Sequence, residues 1–203
     1  MKTVDKQYLA SFEIAGPAAM FTRPDTGSSP ISYPAPTKSA LKGMFECIVL
    51  SRQAYFEPLR VEICTPVVFS KYTTNYRGPL RKSGTENFQL FASILENVCY
   101  KVYGEIRTAN TPKLGENSRH KTQEIFVRRL TAGQFYSTPF LGWKEFTPSY
   151  FGPVRDTTQV EQSINMLIPS MLETMYTEPT NGSVFPRYAQ NLKIEGGVLN
   201  YAE

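Results

Sequence analysis

The chain has 203 residues, 41% of them hydrophobic and 20% charged, and a formal net charge of +4, which predicts one domain with its own core and at most a small appendage. Its three cysteines lack CxxC spacing and its histidine stands alone, so we expect reduced thiols in a cytoplasm rather than a disulfide framework or a metal site. The first residues lack the apolar core of a signal peptide and no apolar run reaches about 18 residues, which argues against export and membrane spanning.

The first half of the chain predicts a strand, a helix and a second strand. Residues 8–14 are rich in aromatic and branched side chains and predict the first strand, which we expect to end at the Gly-Pro pair of residues 16–17. After a loop rich in Pro, Ser and Gly, Thr37 can cap a helix whose apolar side chains recur at helical spacing over residues 40–49. Alternating apolar residues over 59–69 then indicate a second strand.

The second half predicts a third strand and a second helix. Alternation over residues 98–106 marks the strand. The preceding segment, residues 71–97, remains unassigned, because residues 88–95 fit either a short helix or a strand. A helix is predicted over about 120–132, with Gly133 in the right place for a C-cap.

The order strand, helix, strand, strand, helix, strand suggests an α+β fold with a ferredoxin-like split βαβ domain. From about residue 148 the chain is acidic and rich in loops, with extended candidates near 164–168 and 192–199. We therefore expect a ferredoxin-like domain over residues 1–147, with an inserted basic segment at 71–97. A small β-rich elaboration is expected over residues 148–203.

Positive charge is concentrated in the middle of the chain. Residues 1–70 hold seven Lys/Arg against six Asp/Glu, residues 71–144 hold twelve against five, and residues 145–203 hold three against seven. A central block of net charge +7 favours binding to a phosphate backbone, because each phosphate neutralised by Lys or Arg releases condensed counterions.

Three motifs resemble those of one protein family. Residues 32–46 read SYPAPTKSALKGMFE, which is a Pro-rich turn leading into the first helix. Residues 119–134 read RHKTQEIFVRRLTAGQ, and residues 139–146 read PFLGWKEF. Together these motifs resemble the Cas5 family of CRISPR-associated RAMP proteins, and most closely its type I-C (Cas5d) variety. The resemblance covers residues 6–150 and reduces to a hydrophobic pattern after them.

The resemblance implies a Cascade subunit that binds the 5′ handle of the guide RNA (crRNA) and caps the surveillance complex in antiviral defence. It implies contacts with the backbone subunit (Cas7) and the large subunit (Cas8), an indirect relation to target DNA, and no cofactor, metal or membrane. Two alternatives stay open. The chain could also process precursor crRNA as a metal-independent endoribonuclease, or it could be a structural subunit without RNA contact, against which the central basic block argues.

Cleavage of this kind requires particular side chains. The 2′-OH of the RNA attacks the neighbouring phosphate, which needs a base, a cation for the developing charge and an acid for the leaving oxygen. The catalytic candidates are His120, Lys121 and Tyr33, with Tyr103 assisting. The resemblance places the family's catalytic side chains at Val49 and Thr122, which are altered here, so binding is predicted rather than cutting. A two-residue shift on a helix turns a side chain by about 200°, so His120 replaces Thr122 only if the helix start is frayed or slipped.

RNA contacts are predicted for cationic and polar side chains in and around the motifs. The candidates are Arg23, Tyr33, Lys38, Lys42, Asn75, Arg77, Arg81, Lys82, Arg119, Lys121, Arg128 and Arg129. Aromatic side chains commonly stack on unpaired bases. The stacking candidates are Tyr33, Phe21, Phe135, Tyr136 and Trp143, of which we expect Trp143 to be buried instead.

Overall fold

The computed structural model of the protein describes residues 7–77, 87–109, 117–176 and 182–201. In these ranges the chain forms a mixed α/β structure that combines a curled antiparallel sheet with a few helices. The elements in chain order are β1 (Leu9–Ala19), α1 (Lys38–Glu46), β2 (Ala54–Ile63), β3 (Val68–Arg77), β4 (Asn87–Thr108), α2 (Ser118–Ala132), β5 (Tyr150–Gly152), β6 (Met166–Tyr176), β7 (Val184–Glu195) and β8 (Val198–Asn200). Neither helix in the described ranges is long and apolar enough to cross a membrane.

The strands lie in the order β5-β1-β4-β2-β8-β7-β6, and β3 pairs with β4 beside this path. Within the described ranges, the pairings among these strands are all antiparallel. Strand β4 is long enough to serve two parts of the sheet, because its first half pairs with β3 and its second half lies between β1 and β2. Helix α1 connects β1 to β2, and β4 lies between these two strands in the sheet. Helix α2 leads from β4 towards β5, and β1 lies between those two strands.

Both predicted helices and the predicted strand regions are confirmed, with differences at their ends. Strand β1 does not end at residues 16–17 but continues to Ala19, because the ladder passes over Pro17 between the pairs Gly16↔Val98 and Ala18↔Glu96. Proline is tolerated there because β5 pairs only with residues 13–15, which leaves the outer edge of β1 open.

The predicted second strand is two strands in the structure. Strand β2 ends at Ile63 and β3 begins at Val68, with Pro66 between them. A bulge between Pro58 and Arg60 shifts the alternation within β2. The unassigned segment 88–95 belongs to β4 and is a strand, not a helix.

The helices pack on one face of the sheet through stacked aromatic rings. The Thr37 side chain caps α1 by accepting a hydrogen bond from the Ala40 N–H at 3.2 Å. The Phe45 ring stacks on Phe126 of α2 at 4.4 Å and on Phe56 of β2 at 4.7 Å between centroids. This three-ring stack fixes both helices against the strands that lie beneath them.

The opposite face of the sheet is crossed by a segment of the C-terminal half. The buried Glu13 carboxylate accepts hydrogen bonds from the Arg155 N–H at 2.8 Å, from the Arg155 guanidinium at 2.5 and 2.9 Å, and from Thr158 Oγ1 at 2.8 Å. Lys101 Nζ donates to the Thr158 carbonyl at 2.6 Å. These bonds hold residues 155–158 across β1 and β4 and satisfy a carboxylate that would be costly to bury alone.

Close packing of β4 on β2 makes Gly104 the most demanding glycine of the central strands. An added Cβ would lie 2.4 Å from the Phe56 ring and 2.5 Å from the Glu57 carbonyl oxygen, so Gly104→Ala should lower the free energy of unfolding by about 1–3 kcal/mol. The matched control is Gly43→Ala, where an added Cβ would have no packing neighbour within 4 Å outside its own helix backbone. Alanine at this position should raise the free energy of unfolding by about 0.5–1 kcal/mol. Urea unfolding measures both, and equal effects would contradict this packing.

Glu13 makes the stability of the fold dependent on pH. Burial raises the pKa of its carboxyl, but the hydrogen bonds from Arg155 and Thr158 outweigh burial and hold the pKa below its usual range. The stabilisation of the fold by the ionised Glu13 carboxylate is therefore complete at neutral pH and is lost as the pH falls through that lowered pKa. Glu13→Gln should cost roughly 2–4 kcal/mol at neutral pH, and the deficit should shrink below about pH 4.

Chemical denaturation at a series of pH values tests this dependence, with the exposed Glu145→Gln as the control of equal charge change. The control should leave stability unchanged within about 0.5 kcal/mol. A Glu13→Gln deficit that stays constant from neutral pH to acid pH would show that the carboxylate charge does not hold the crossing segment.

Candidate nucleic-acid interface

The loop that follows α1, residues 47–53, runs along α2. At one end Arg129 Nη1 donates to the Ile48 carbonyl at 2.9 Å, and at the other Ser118 Oγ donates to the Gln53 carbonyl at 3.3 Å. Because Ser118 and Arg129 lie near opposite ends of α2, the loop borders about 16 Å of the helix. The two helices and this loop thus form one continuous surface.

Cationic side chains line the part of α2 that borders this loop. Thr122 and Phe126 face the core, whereas Lys121 and Arg128 are exposed, and their spacing of seven residues puts them on one face of the helix. Arg129 is half-buried beside that face because it reaches the loop.

The bordering loop adds Arg52, which is exposed. Beyond the end of α2, the backbone N–H of Tyr136 donates to the Cys47 carbonyl at 2.6 Å, and the Tyr136 side chain is 67% exposed. We call Arg52, Lys121, Arg128, Arg129 and Tyr136 the α2 strip. Four cations and one exposed aromatic ring suit a nucleic-acid strand, whose phosphates and bases they can contact separately.

The first turn of α2 is held against β1. Asn117 Oδ1 accepts a hydrogen bond from the His120 N–H at 3.2 Å and caps the helix, and Asn117 Nδ2 donates to the Tyr8 hydroxyl. The rings of His120 and Tyr8 meet edge-on at 6.0 Å, and the Arg119 guanidinium lies 5.0 Å from the centre of the Tyr8 ring. His120 Nδ1 is 3.5 Å from the Glu124 carboxylate. His120 therefore faces the β1 side of α2, and Lys121, about 100° further round, faces the loop side.

The two altered positions of the resemblance are inside the protein. Val49 is 5% exposed and Thr122 is 4% exposed. Since α2 begins at Ser118 with a formed cap, its first turn is neither frayed nor slipped, and His120 does not take the direction of Thr122.

Tyr33 and Phe21 are also inside, each 3% exposed. The Tyr33 hydroxyl accepts a hydrogen bond from the Leu172 N–H at 3.2 Å, and burial raises the pKa of Tyr33 above its usual range. Neither ring is available to stack on a base, which corrects the expectation for both. Trp143 is half-buried and donates through Nε1 to Thr22 Oγ1 at 2.9 Å, so it too has a structural partner. Among the predicted stacking residues, Phe135 and Tyr136 are exposed.

The remaining cationic candidates lie in other places. Lys38 Nζ is 2.6 Å from the Glu57 carboxylate and 3.2 Å from the Glu173 carboxylate, so it ties α1 to β2 and β6. Lys42 lies 5.6 Å from the centre of the Tyr55 ring. These side chains line a cleft of about 100 Å³ between α1, β2 and the β6–β7 hairpin.

Arg23 is exposed and makes two hydrogen bonds to Asp25, at 2.7 and 3.1 Å. Asn75 and Arg77 lie on β3, at the end of the strand that is remote from the core. Arg81 and Lys82 lie outside the described residues.

The structure therefore brings together Lys121, Arg128 and Arg129 of the predicted RNA-binding set. It adds Arg52, which the sequence analysis missed because a single arginine in a loop has no periodic signal. The position of Arg52 three residues after the altered Val49 was a local hint. Among the described residues, no group of three His, Cys, Asp or Glu side chains is arranged to hold a metal ion.

A family model described as CRISPR-associated protein (Cas_Cas5), of the Cas5d type, matches residues 11–167. The chain is similar to the CRISPR pre-crRNA endoribonuclease Cas5d of Thermus thermophilus, with 32% identity over 148 residues, 70% of this chain and 62% of that protein. The match thus spans less than two thirds of that relative's length. The protein of the same name from Mannheimia succiniciproducens is 27% identical over 220 residues, which cover 94% of this chain and 95% of that protein.

The fold is similar to that of a solved CRISPR-associated protein. The two structures agree with a TM-score of 0.74 at 18% sequence identity, and the alignment covers 98% of this chain and 95% of the other. At this identity the agreement concerns the fold and not the site. The sheet and the helices described above are therefore an architecture known from a Cas protein.

Proposed function

The chain belongs to the CRISPR-associated Cas5 family as a type I-C (Cas5d) member, and from this premise we propose that it is the Cascade subunit that binds the 5′ handle of the crRNA. In this role it caps one end of a surveillance complex in antiviral defence. The site residues of this proposal are those of the α2 strip.

The α2 strip is the observation on which the proposal rests. Three exposed cations offer positive charge to phosphates along one side of α2. These are Lys121 and Arg128 of the helix and Arg52 of the bordering loop. Arginine is suited to this task because its planar guanidinium can hold two phosphate oxygens at once. Tyr136 offers an exposed ring on which a base can stack at the end of the strip.

A ferredoxin-like RAMP domain over residues 1–147 is part of the proposal. It is supported by the order β1-β4-β2 and by helices that each link strands that are not neighbours in the sheet. Strand β5, three residues beyond the proposed boundary, completes the order β5-β1-β4-β2 on the other side of β1. Residues 148–203 form the C-terminal elaboration, whose strands β6 to β8 join the sheet through the pairing of β8 with β2. Of the basic segment 71–97, residues 71–77 belong to β3 and residues 87–97 to β4.

The partners we propose are the crRNA, the Cas7 backbone subunit and the Cas8 large subunit, with target DNA reached only through the crRNA. A protein contact is supported by the β6–β7 hairpin, where Leu167, Val184 and Phe185 are more than half exposed. Clusters of exposed apolar side chains are typical of protein interfaces. The free thiols of the cysteines support a reducing, cytoplasmic location.

Processing of precursor crRNA is the second candidate function, because both curated relatives are named pre-crRNA endoribonucleases. In this chain Lys121 can stabilise the charge of the transition state, but the acid-base groups that the reaction needs are not beside it. Val49 has no proton to transfer, Thr122 is buried, and His120 faces the other side of α2. Binding therefore has more support than cutting.

Substitution of the exposed cations tests the binding proposal. Arg52→Ala, Lys121→Ala and Arg128→Ala should each weaken binding of repeat RNA and lower the slope of log K against log salt by about one unit, because one phosphate contact is lost. Fluorescence anisotropy over a salt series measures both quantities. Lys193→Ala is the matched control, an exposed cation on β7 that should change neither quantity. If the three strip variants keep the wild-type affinity and slope, the α2 strip does not bind RNA.

A cleavage assay separates the binder from the nuclease. The purified protein should cut the repeat hairpin in EDTA far more slowly than relatives that keep the catalytic side chains at the positions of Val49 and Thr122. Each missing acid-base group typically lowers the cleavage rate by about 10²–10⁴-fold. Val49→Tyr combined with Thr122→His should raise the rate with little change in affinity. Both positions are buried, so thermal melts must first show that the double variant folds. Rapid cleavage by the unmodified protein that disappears in His120→Ala would contradict this expectation.

A further inference from the structure

Two cysteines face each other at the base of the β3–β4 hairpin. Cys64 follows β2 directly, and Cys99 lies on β4 next to Tyr100, the partner of Ile63 in the ladder. The Cys64 N–H donates to the Cys99 carbonyl at 2.9 Å. Opposite residues in an antiparallel pair have Cα atoms about 4.5–5.5 Å apart, depending on their hydrogen bonding, and side chains on the same face of the sheet. That separation is within the roughly 4.4–6.8 Å that a disulfide spans.

The backbone around this pair can adjust. The Cys99 N–H donates to Thr65 Oγ1 at 3.1 Å rather than to the Cys64 carbonyl, so one backbone bond holds the pair instead of two. Pro66 follows immediately and cannot donate a ladder bond. The pair thus lies where the ladder opens, which is a place that tolerates the small shift needed to join two sulfurs.

The environments of the two thiols differ. Cys99 is buried, with Sγ 3.7 Å from the Glu13 carboxylate, whereas Cys64 is half-buried, with Sγ 3.6 Å from the Glu62 carbonyl. The contact with the Cys99 side chain lowers the pKa of Cys64, and Lys101 lowers it further against the effect of burial. The same contact, together with burial, raises the pKa of Cys99. Cys64 is therefore the attacking thiol of the pair and Cys99 the one that resolves.

We propose that Cys64 and Cys99 are a modification site that forms a reversible intrachain disulfide with a small disulfide oxidant such as oxidised glutathione. The Cys64 thiolate attacks one glutathione sulfur, forms a mixed disulfide and releases one glutathione thiolate. The Cys99 thiol then loses its proton, which neutralises the released thiolate, and its sulfur attacks the Cys64 sulfur. The second glutathione leaves as a thiolate and takes up the proton that Cys64 gave to solvent when it ionised. Two protein thiols are oxidised, and one glutathione disulfide is reduced to two thiols.

The bond would act on two features of the fold at once. It would close the base of the hairpin that begins at Val68 and returns at Glu96. It would also remove the Cys99 thiol hydrogen that reaches Glu13, the carboxylate that holds the crossing segment. Because a reducing cytoplasm opposes stable disulfides, the bond is expected to be transient and to form under oxidative load. It does not depend on the proposed RNA binding.

Thiol labelling of the whole chain tests the site. The protein is equilibrated with a series of ratios of oxidised to reduced glutathione, quenched in acid and labelled with N-ethylmaleimide under denaturing conditions. Intact mass should show three labels under reducing conditions and one after oxidation, the remaining label being on Cys47, whose buried thiol contacts the Thr138 carbonyl. Peptide mapping should recover Cys64 linked to Cys99.

Three variants sharpen the test. Cys47→Ser should form the same link and keep no label after oxidation, Cys64→Ser should form none, and Cys99→Ser should retain one glutathione on Cys64. Three labels in the wild-type protein across the whole series, with circular dichroism showing a folded chain, would overturn the proposal. Glutathione uptake at Cys47, or a link between chains instead of within one, would overturn it as well. The wild-type and Cys47→Ser measurements decide the matter if the other variants fail to fold.

Discussion

The stack of Phe45 between Phe56 and Phe126 is the interaction on which the α2 strip depends. It ties α1, α2 and β2 together with centroid distances of 4.4 and 4.7 Å. With both helices fixed, the loop of residues 47–53 runs along α2 and is held there by hydrogen bonds from Ser118 and Arg129. The exposed cations Arg52, Lys121 and Arg128 are therefore positioned by the aromatic stack beneath them, whereas Arg129 itself helps to hold the loop through its hydrogen bond to the Ile48 carbonyl.

The opposite face of the sheet explains why the helical side is the candidate interface. Many small RNA-binding domains of related topology use an open sheet face whose aromatic side chains stack on bases. Here residues 155–158 cross that face through Glu13, and Tyr103 donates its hydroxyl to Glu62. Arg60 pairs with Glu62 and Arg107 with Glu105, so the charges there are largely balanced within the sheet. The exposed cations of the α2 strip lie on the helical side instead.

Sequence reasoning succeeded where local rules decide the structure. Thr37 and Gly133 mark helix ends because capping depends on residues a few positions away, and both helices were predicted. It failed where distant residues decide. Tyr33 is buried under β6, whose Leu172 N–H donates to the Tyr33 hydroxyl from 139 residues further along the chain. Strand β1 continues past Pro17 because β4 pairs with it both before and after that residue. The resemblance identified the family, but not that the α1–β2 loop, which carries Arg52, runs along α2.

Photocrosslinking of crRNA to the protein tests directly whether the 5′ handle lies on the α2 strip. A guide RNA with 4-thiouridine at successive positions of its 5′ handle is irradiated in complex with the protein, and the crosslinked peptides are identified by mass spectrometry. If the 5′ handle lies on the α2 strip, crosslinks are expected at Tyr136, at the loop of residues 47–53 and at the exposed face of α2. Crosslinks confined to the sheet face around Tyr103 or to the β6–β7 hairpin would contradict it.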